Sequence, residues 1–165
     1  MIMPHISNGD NFKRRPFYLE HFSGVDVILE LGVATGYTSK MFMMCAAKKV
    51  IGVDIASDLL NIDDMHAVAA KNNVEYEFIL DNTLTMDPIE SDVLFLDTSH
   101  EEEATYTELK KFAPATKKII AIHDISPNFD TLKGVDRWLI EDGKDWEEFY
   151  RDYNICGLLV FKRKL

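Results

Sequence analysis

From residue 25 onward, short apolar runs alternate with longer stretches in which apolar positions recur every three or four residues. Residues 25–31 (VDVILEL), 50–54 (VIGVD), 74–80, 92–97 (DVLFLD) and 118–123 (KIIAIH) predict five strands. Most are apolar almost without interruption, the pattern of strands covered on both faces in a parallel sheet. Between them, residues 37–47, 58–71 and 101–113 predict helices. The last is the best specified: Ser99 and Glu102 form a candidate capping box, and Tyr106, Leu109 and Phe112 share a face. Lys110 and Lys111 suit its C-terminal end, and Pro114 stops it. The link 81–91 is too short for a crossover helix and predicts a loop or one helical turn.

Residues 134–141 (GVDRWLIE) predict a further helix, and 146–153 with 155–162 a terminal antiparallel pair. Residues 1–24 read as a short N-terminal extension with one helix, leaving 25–165 as one domain. The alternation predicts an α/β fold, doubly wound and Rossmann-like, with a mostly parallel seven-stranded sheet and an antiparallel C-terminal strand.

Composition narrows the function classes. A chain of 165 residues, 47% apolar and 28% charged, is ordinary for one soluble domain. Its formal charge of −10 argues against nucleic acid as a partner, because phosphates want a basic surface. Lys13, Arg14 and Arg15 form the one tight cationic run near the start and read as a solvated face. No run of about 18 apolar residues exists to span a membrane. Residues 1–10 lack the apolar core of a secretory signal, so a cytoplasmic location is expected. Cys45 and Cys156, far apart and among apolar neighbours, read as reduced core thiols.

In doubly wound sheets ligands bind beyond the carboxyl ends of the strands, where strand order reverses. Here those ends are unusually polar. Glu30-Leu-Gly32-Val-Ala34-Thr-Gly36 leads from the first strand into a helix, with small residues that allow close backbone approach to a ligand. A dinucleotide fingerprint would place its third glycine at Tyr37. Asp54, at the end of the second strand and followed by Ile55, can accept both hydroxyls of a ribose, or else cap the segment starting near Ser57. Asp81 and Asn82 end the third strand, as adenine partners or as an ordinary turn. Asp97-Thr-Ser-His100 follows the fourth strand and His123-Asp124 the fifth. Two acids and two histidines at adjacent strand tips form a candidate functional cluster.

Together these strand ends resemble the class I S-adenosylmethionine-dependent methyltransferases. LELGVATGYTSKMF, DVLFLDTSHEEEATYTELKKF, IIAIHDISP and KGVDRWL look like small-molecule O-methyltransferases and the cephalosporin-hydroxylase-like proteins, over residues 25 to about 163. The resemblance implies S-adenosylmethionine as cofactor, bound by the loop from Glu30 to Tyr37, by Asp54 and Ile55, by Asp81 and Asn82, and by Asp97. It also implies a divalent cation such as Mg²⁺ on Asp97 and Asp124. The position where relatives place a third ligand is Ile125, with His123 on the other side of Asp124.

Methyl transfer to a hydroxyl needs alignment and a base or a metal. His100 is the first candidate base and His123 the second, with Asp97 beside them. The expected partner is a small-molecule acceptor, with neither nucleic acid nor membrane, and a homodimer is an open possibility. Two competing readings are a cofactor-binding module without catalysis and, against Tyr37, a nucleotide-dependent oxidoreductase.

Overall fold

β1 (Val27–Leu31) displays the logic of the layers. Ile28 and Glu30 point to one face, Leu29 and Leu31 to the other, and all four are buried. Period-two alternation in a nearly all-apolar run therefore supplies both sides of the sheet with buried residues. A computed structural model describes residues 11 and 13–165. Along it follow α1 (Arg15–His21), β1, α2 (Tyr37–Met43), β2 (Lys49–Asp54), α3 (Ile62–Asn72), β3 (Glu75–Leu80) and β4 (Ser91–Leu96). Then come α4 (Glu102–Phe112), β5 (Thr116–His123), α5 (Thr131–Glu141), β6 (Trp146–Asp152) and β7 (Leu158–Arg163). The sheet has seven strands in the order β3-β2-β1-β4-β5-β7-β6, parallel from β3 to β5, with β7 antiparallel to both its neighbours.

One face carries Ile28, Val50, Val93, Phe95 and Val160 against Tyr18 and Phe22 of the α1 region, Phe42 of α2 and Met65 of α3. The other carries Leu29, Ile51, Leu94, Ile120 and Leu159 against Leu109 and Phe112 of α4 and Val135 and Trp138 of α5. Each fully buried aliphatic or aromatic side chain contributes about 1.5–3 kcal/mol to this packing. Tyr18 and Phe22 are wholly buried, so the N-terminal helix is part of the first core. The part of the predicted N-terminal extension before Asn11 lies outside the described residues.

Element ends depart from expectation where the backbone turns left-handed. α2 stops at Met43, and Ala46 at φ +53° turns the chain toward β2. α3 starts four residues late because Asn61 caps it, its Oδ1 accepting from the Asp64 N–H at 3.0 Å. The capping box expected of Ser99 and Glu102 does not form: the residue before α4 is Glu101, and His100 at φ +61° swings Ser99 out of reach. α5 begins at Thr131, three residues early, and β7 begins only at Leu158, after Ile155 and Gly157 make a turn at positive φ.

The basic run is not a solvated face throughout. Arg14 is buried, and its Nη2 donates to the Asn154 carbonyl at 3.0 Å and faces Asp152 at 3.4 Å. Cys45 is buried, as a core thiol should be, whereas Cys156 is only half-buried, in the turn between β6 and β7. Among the described residues no helix is long and apolar enough to cross a membrane.

Candidate functional site

β1 lies between β2 and β4, so the loops leaving β1 and β4 run to opposite faces and open a crevice at their carboxyl ends. The glycine loop fits against it closely. Gly32 sits at φ +87°, and a Cβ there would lie 2.0 Å from the Asp97 carbonyl oxygen, so no other residue fits. Gly36, at φ +74°, is held differently. Its missing Cβ leaves room for Met65 and Leu60 on the α3 side, and it does not border the crevice. Ala34 takes φ +48° where a glycine would be at ease.

The crevice encloses a cavity of about 450 Å³. Glu30, Gly32, Ala34, Tyr37, Asp54, Ile55, Asp81, Asn82 and Asp97 all border it, so the strand-end residues singled out in the sequence converge, with Gly36 and His123 outside. Ile55 is 72% exposed at the rim. Asp54 is already engaged: Oδ2 accepts from the N–H groups of Val33 and Ala34 at 2.8 and 2.9 Å, and Oδ1 from Ala56 at 3.0 Å. It shapes the glycine loop and still has accepting capacity on Oδ1. Glu30 is almost fully buried and receives the Ser39 hydroxyl on Oε2. Burial pushes its carboxyl well above the usual range, Ser39 opposes this, and the charges of Asp97 and Asp54 add to it. Asn82 Oδ1 accepts the Leu84 N–H at 2.9 Å, which fixes the turn after β3.

The acid–histidine cluster forms as the sequence implied. His100 Nε2 lies 2.7 Å from Asp124 Oδ2 and 3.2 Å from Asp97 Oδ1. His123 Nδ1 lies 3.3 Å from Asp97 and 3.2 Å from Asp124, with its ring fully buried behind the two acids rather than facing the cavity. Both His100 and Asp124 hold left-handed backbones, at φ +61° and +53°. Such conformations cost about 1–3 kcal/mol each and concentrate at functional sites. Burial alone would lower the His100 pKa, but hydrogen bonds to Asp124 and Asp97 overcome it and raise it to about 9. Burial likewise works to raise both acids. The charge of His123 and the hydrogen bond to His100 hold Asp97 below its usual range, and hydrogen bonds to His100 and His123 hold Asp124 there.

Glu108, Thr83 and Thr98 face the cavity and were not singled out in the sequence. Glu108, buried on α4, accepts from Thr83 Oγ1 at 2.5 Å and from Thr98 Oγ1 at 2.7 Å. A signal existed, since Thr105, Glu108, Leu109 and Phe112 share one helical stripe, and a carboxyl inside a buried stripe needs partners.

No protein-family model matches the sequence, and no curated protein matches it. Solved structures do. An O-methyltransferase from Bacillus cereus, in complex with S-adenosylhomocysteine, is 13% identical with a TM-score of 0.66, over 98% of this chain and 84% of that one. Magnesium protoporphyrin IX methyltransferase from Synechocystis, with bound S-adenosylmethionine, is 14% identical at TM-score 0.66, over 95% and 79% of the two chains. An N-methyltransferase from Bradyrhizobium japonicum is 12% identical at TM-score 0.65, over 96% and 99%. The chain has the fold of the class I methyltransferases.

Proposed function

We propose that the chain binds S-adenosylmethionine in the crevice and methylates a hydroxyl of a small molecule. The observation that carries the reading is the convergence of the Glu30–Tyr37 loop, Asp54 and Asp81 on one cavity at the carboxyl ends of the strands. Its volume suits a ligand of cofactor size. The neighbouring folds, two of them with S-adenosylmethionine or its product, support the same cofactor. Their acceptors differ in kind, so the acceptor class rests on the cavity itself. Six carboxylic side chains line it and, among the described residues, no lysine or arginine does, a wall that repels phosphate and favours an uncharged acceptor.

When bound, the cofactor supplies the electrophilic methyl group. Asp54 would orient the ribose, and Ile55 would cover the adenine at the rim. Asp97, His100 and Asp124 hold the proton balance beside the acceptor. Their donor atoms all lie within 4.8 Å of one another and would hold a divalent cation. Two carboxylates and an imidazole suit Mn²⁺ better than the oxygen-seeking Mg²⁺. The cation's chemistry there is to acidify a nearby hydroxyl. Without it, His100 becomes a proton acceptor only as the pH nears 9. His123, out of contact with the cavity, is a positioning residue.

The cluster's mutual neutralisation favours one second reading, a binding module without catalysis. Calorimetric titration with S-adenosylmethionine, S-adenosylhomocysteine and NAD tests the cofactor reading. Micromolar binding of the first two and none of NAD is expected, and preference for NAD overturns it. A panel of sugars, catechols and hydroxylated metabolites, assayed with chelator or Mn²⁺, separates enzyme from module: methylation of a hydroxyl supports the enzyme, and silence across the panel supports the module.

A further inference from the structure

We infer that Glu108 is a positioning residue that ties the loop after β3 to the loop after β4, so that one side chain sets both ends of the crevice. Its two oxygens are divided between the loops, Oε1 taking the Thr83 hydroxyl and Oε2 the Thr98 hydroxyl. Thr83 follows Asp81 and Asn82, on the nucleoside side. Thr98 follows Asp97 and lies two residues before His100. No backbone hydrogen bond described here joins these two loops directly. Glu108 is 1% exposed, on a helix whose length and packing fix it.

A second residue one turn along α4 separates the roles. Lys111 Nζ donates to the carbonyls of Thr83, Leu84 and Met86 at 3.1, 2.7 and 3.0 Å. It therefore holds the first loop alone. Lys111 reaches the nucleoside wall alone, so registration of that wall against the acid–histidine cluster falls to Glu108. A buried carboxyl is costly to desolvate, and its loss would leave the Thr83 and Thr98 hydroxyls without their acceptor.

The ligand part of the inference rests on the S-adenosylmethionine reading above; the tether itself does not. Hydrogen exchange of the unliganded protein, followed at residues 81–86 and 97–100, tests the tether without any ligand. Glu108→Leu should speed exchange in both loops by more than in the strands of the sheet, which serve as the internal reference for any global loss of stability. Lys111→Met should speed it at 81–86 only. Glu108→Gln should restore both loops, since its carbonyl can accept from one threonine while its amide donates to the other. In calorimetry, Glu108→Leu should bind adenosine and S-adenosylhomocysteine about tenfold more weakly, and Glu108→Gln within about twofold of the parent. Should Glu108→Leu fail to fold, Thr98→Val tests the same link and should loosen residues 81–86 as well as 97–100. Exchange that rises in one loop alone, or a fall in melting temperature with adenosine affinity unchanged, overturns the inference. A parent protein that binds neither adenosine nor S-adenosylhomocysteine overturns the cofactor reading instead, and exchange still decides the tether.

Discussion

His100 should make the stability of this protein depend on pH in a window where most proteins are flat. Its ring stands between Asp97 and Asp124, and its pKa rises from the ordinary 6.5 to about 9. A group whose pKa is raised by folding stabilises the native state fully below its unfolded value and loses that contribution as pH climbs through the folded one. The decline therefore runs from about pH 6.5 to about pH 9. The difference corresponds to about 3 kcal/mol, and with the side chain 27% exposed, solvent screening brings it to about 2 kcal/mol. The same pairing also fails at low pH, as Asp97 and Asp124 take up protons well below their usual range. This is one interaction seen from both partners, so the two losses bound a single plateau and do not add. Urea denaturation of the parent and of His100→Gln, at intervals from pH 5.5 to 9.5, measures it. The parent should lose about 2 kcal/mol between pH 6.5 and about pH 9 relative to the variant. Parallel curves for the two proteins would refute the reasoning. Methylation that uses His100 as base should climb toward pH 9 instead of levelling off near neutrality.

Asp54→Ala should weaken S-adenosylhomocysteine binding about ten- to a hundred-fold, because the variant loses a ribose partner and three acceptor contacts that shape the loop. Calorimetry that returns full affinity counts against that role. Gly32→Val places a branched side chain where even a Cβ meets the Asp97 carbonyl oxygen, so loss of binding or of folding is expected. A melting temperature within a few degrees of the parent, with binding intact, contradicts it. Glu30→Gln should change stability by less than about 1 kcal/mol, since the amide reproduces the neutral acid that burial favours, while Glu30→Ala should cost about 2–4 kcal/mol. Urea melts of the two variants compare them directly.

The layers were legible because β1, β2, β4 and β5 are apolar on both faces, a pattern few other environments produce. The site was legible for a related reason: polar residues at the ends of such runs have nowhere to go but the crevice. What could not be seen is the conformation of individual non-glycine residues. Nothing in the letters of His100, Asp124 or Ile155 announces a left-handed backbone, yet these turns abolish the capping box, bring the cluster together and delay β7. The engagement of Asp54 by Val33 and Ala34 depends on the path of a loop, and the burial of Arg14 on a hairpin distant in sequence. Glu108 was half-legible, as an acid on a stripe whose other members are buried.

The two cores touch only through the sheet between them. Ile28 belongs to one and Leu29 to the other, although they are adjacent in the chain, whereas Ile28 shares its core with Val160 at the far end of the sequence. Substitutions at neighbouring positions of one strand should thus combine independently, and distant ones on the same face should couple. Each side of the protein can drift, or be redesigned, on its own schedule. The crevice, seated where the strands end, keeps its shape through both.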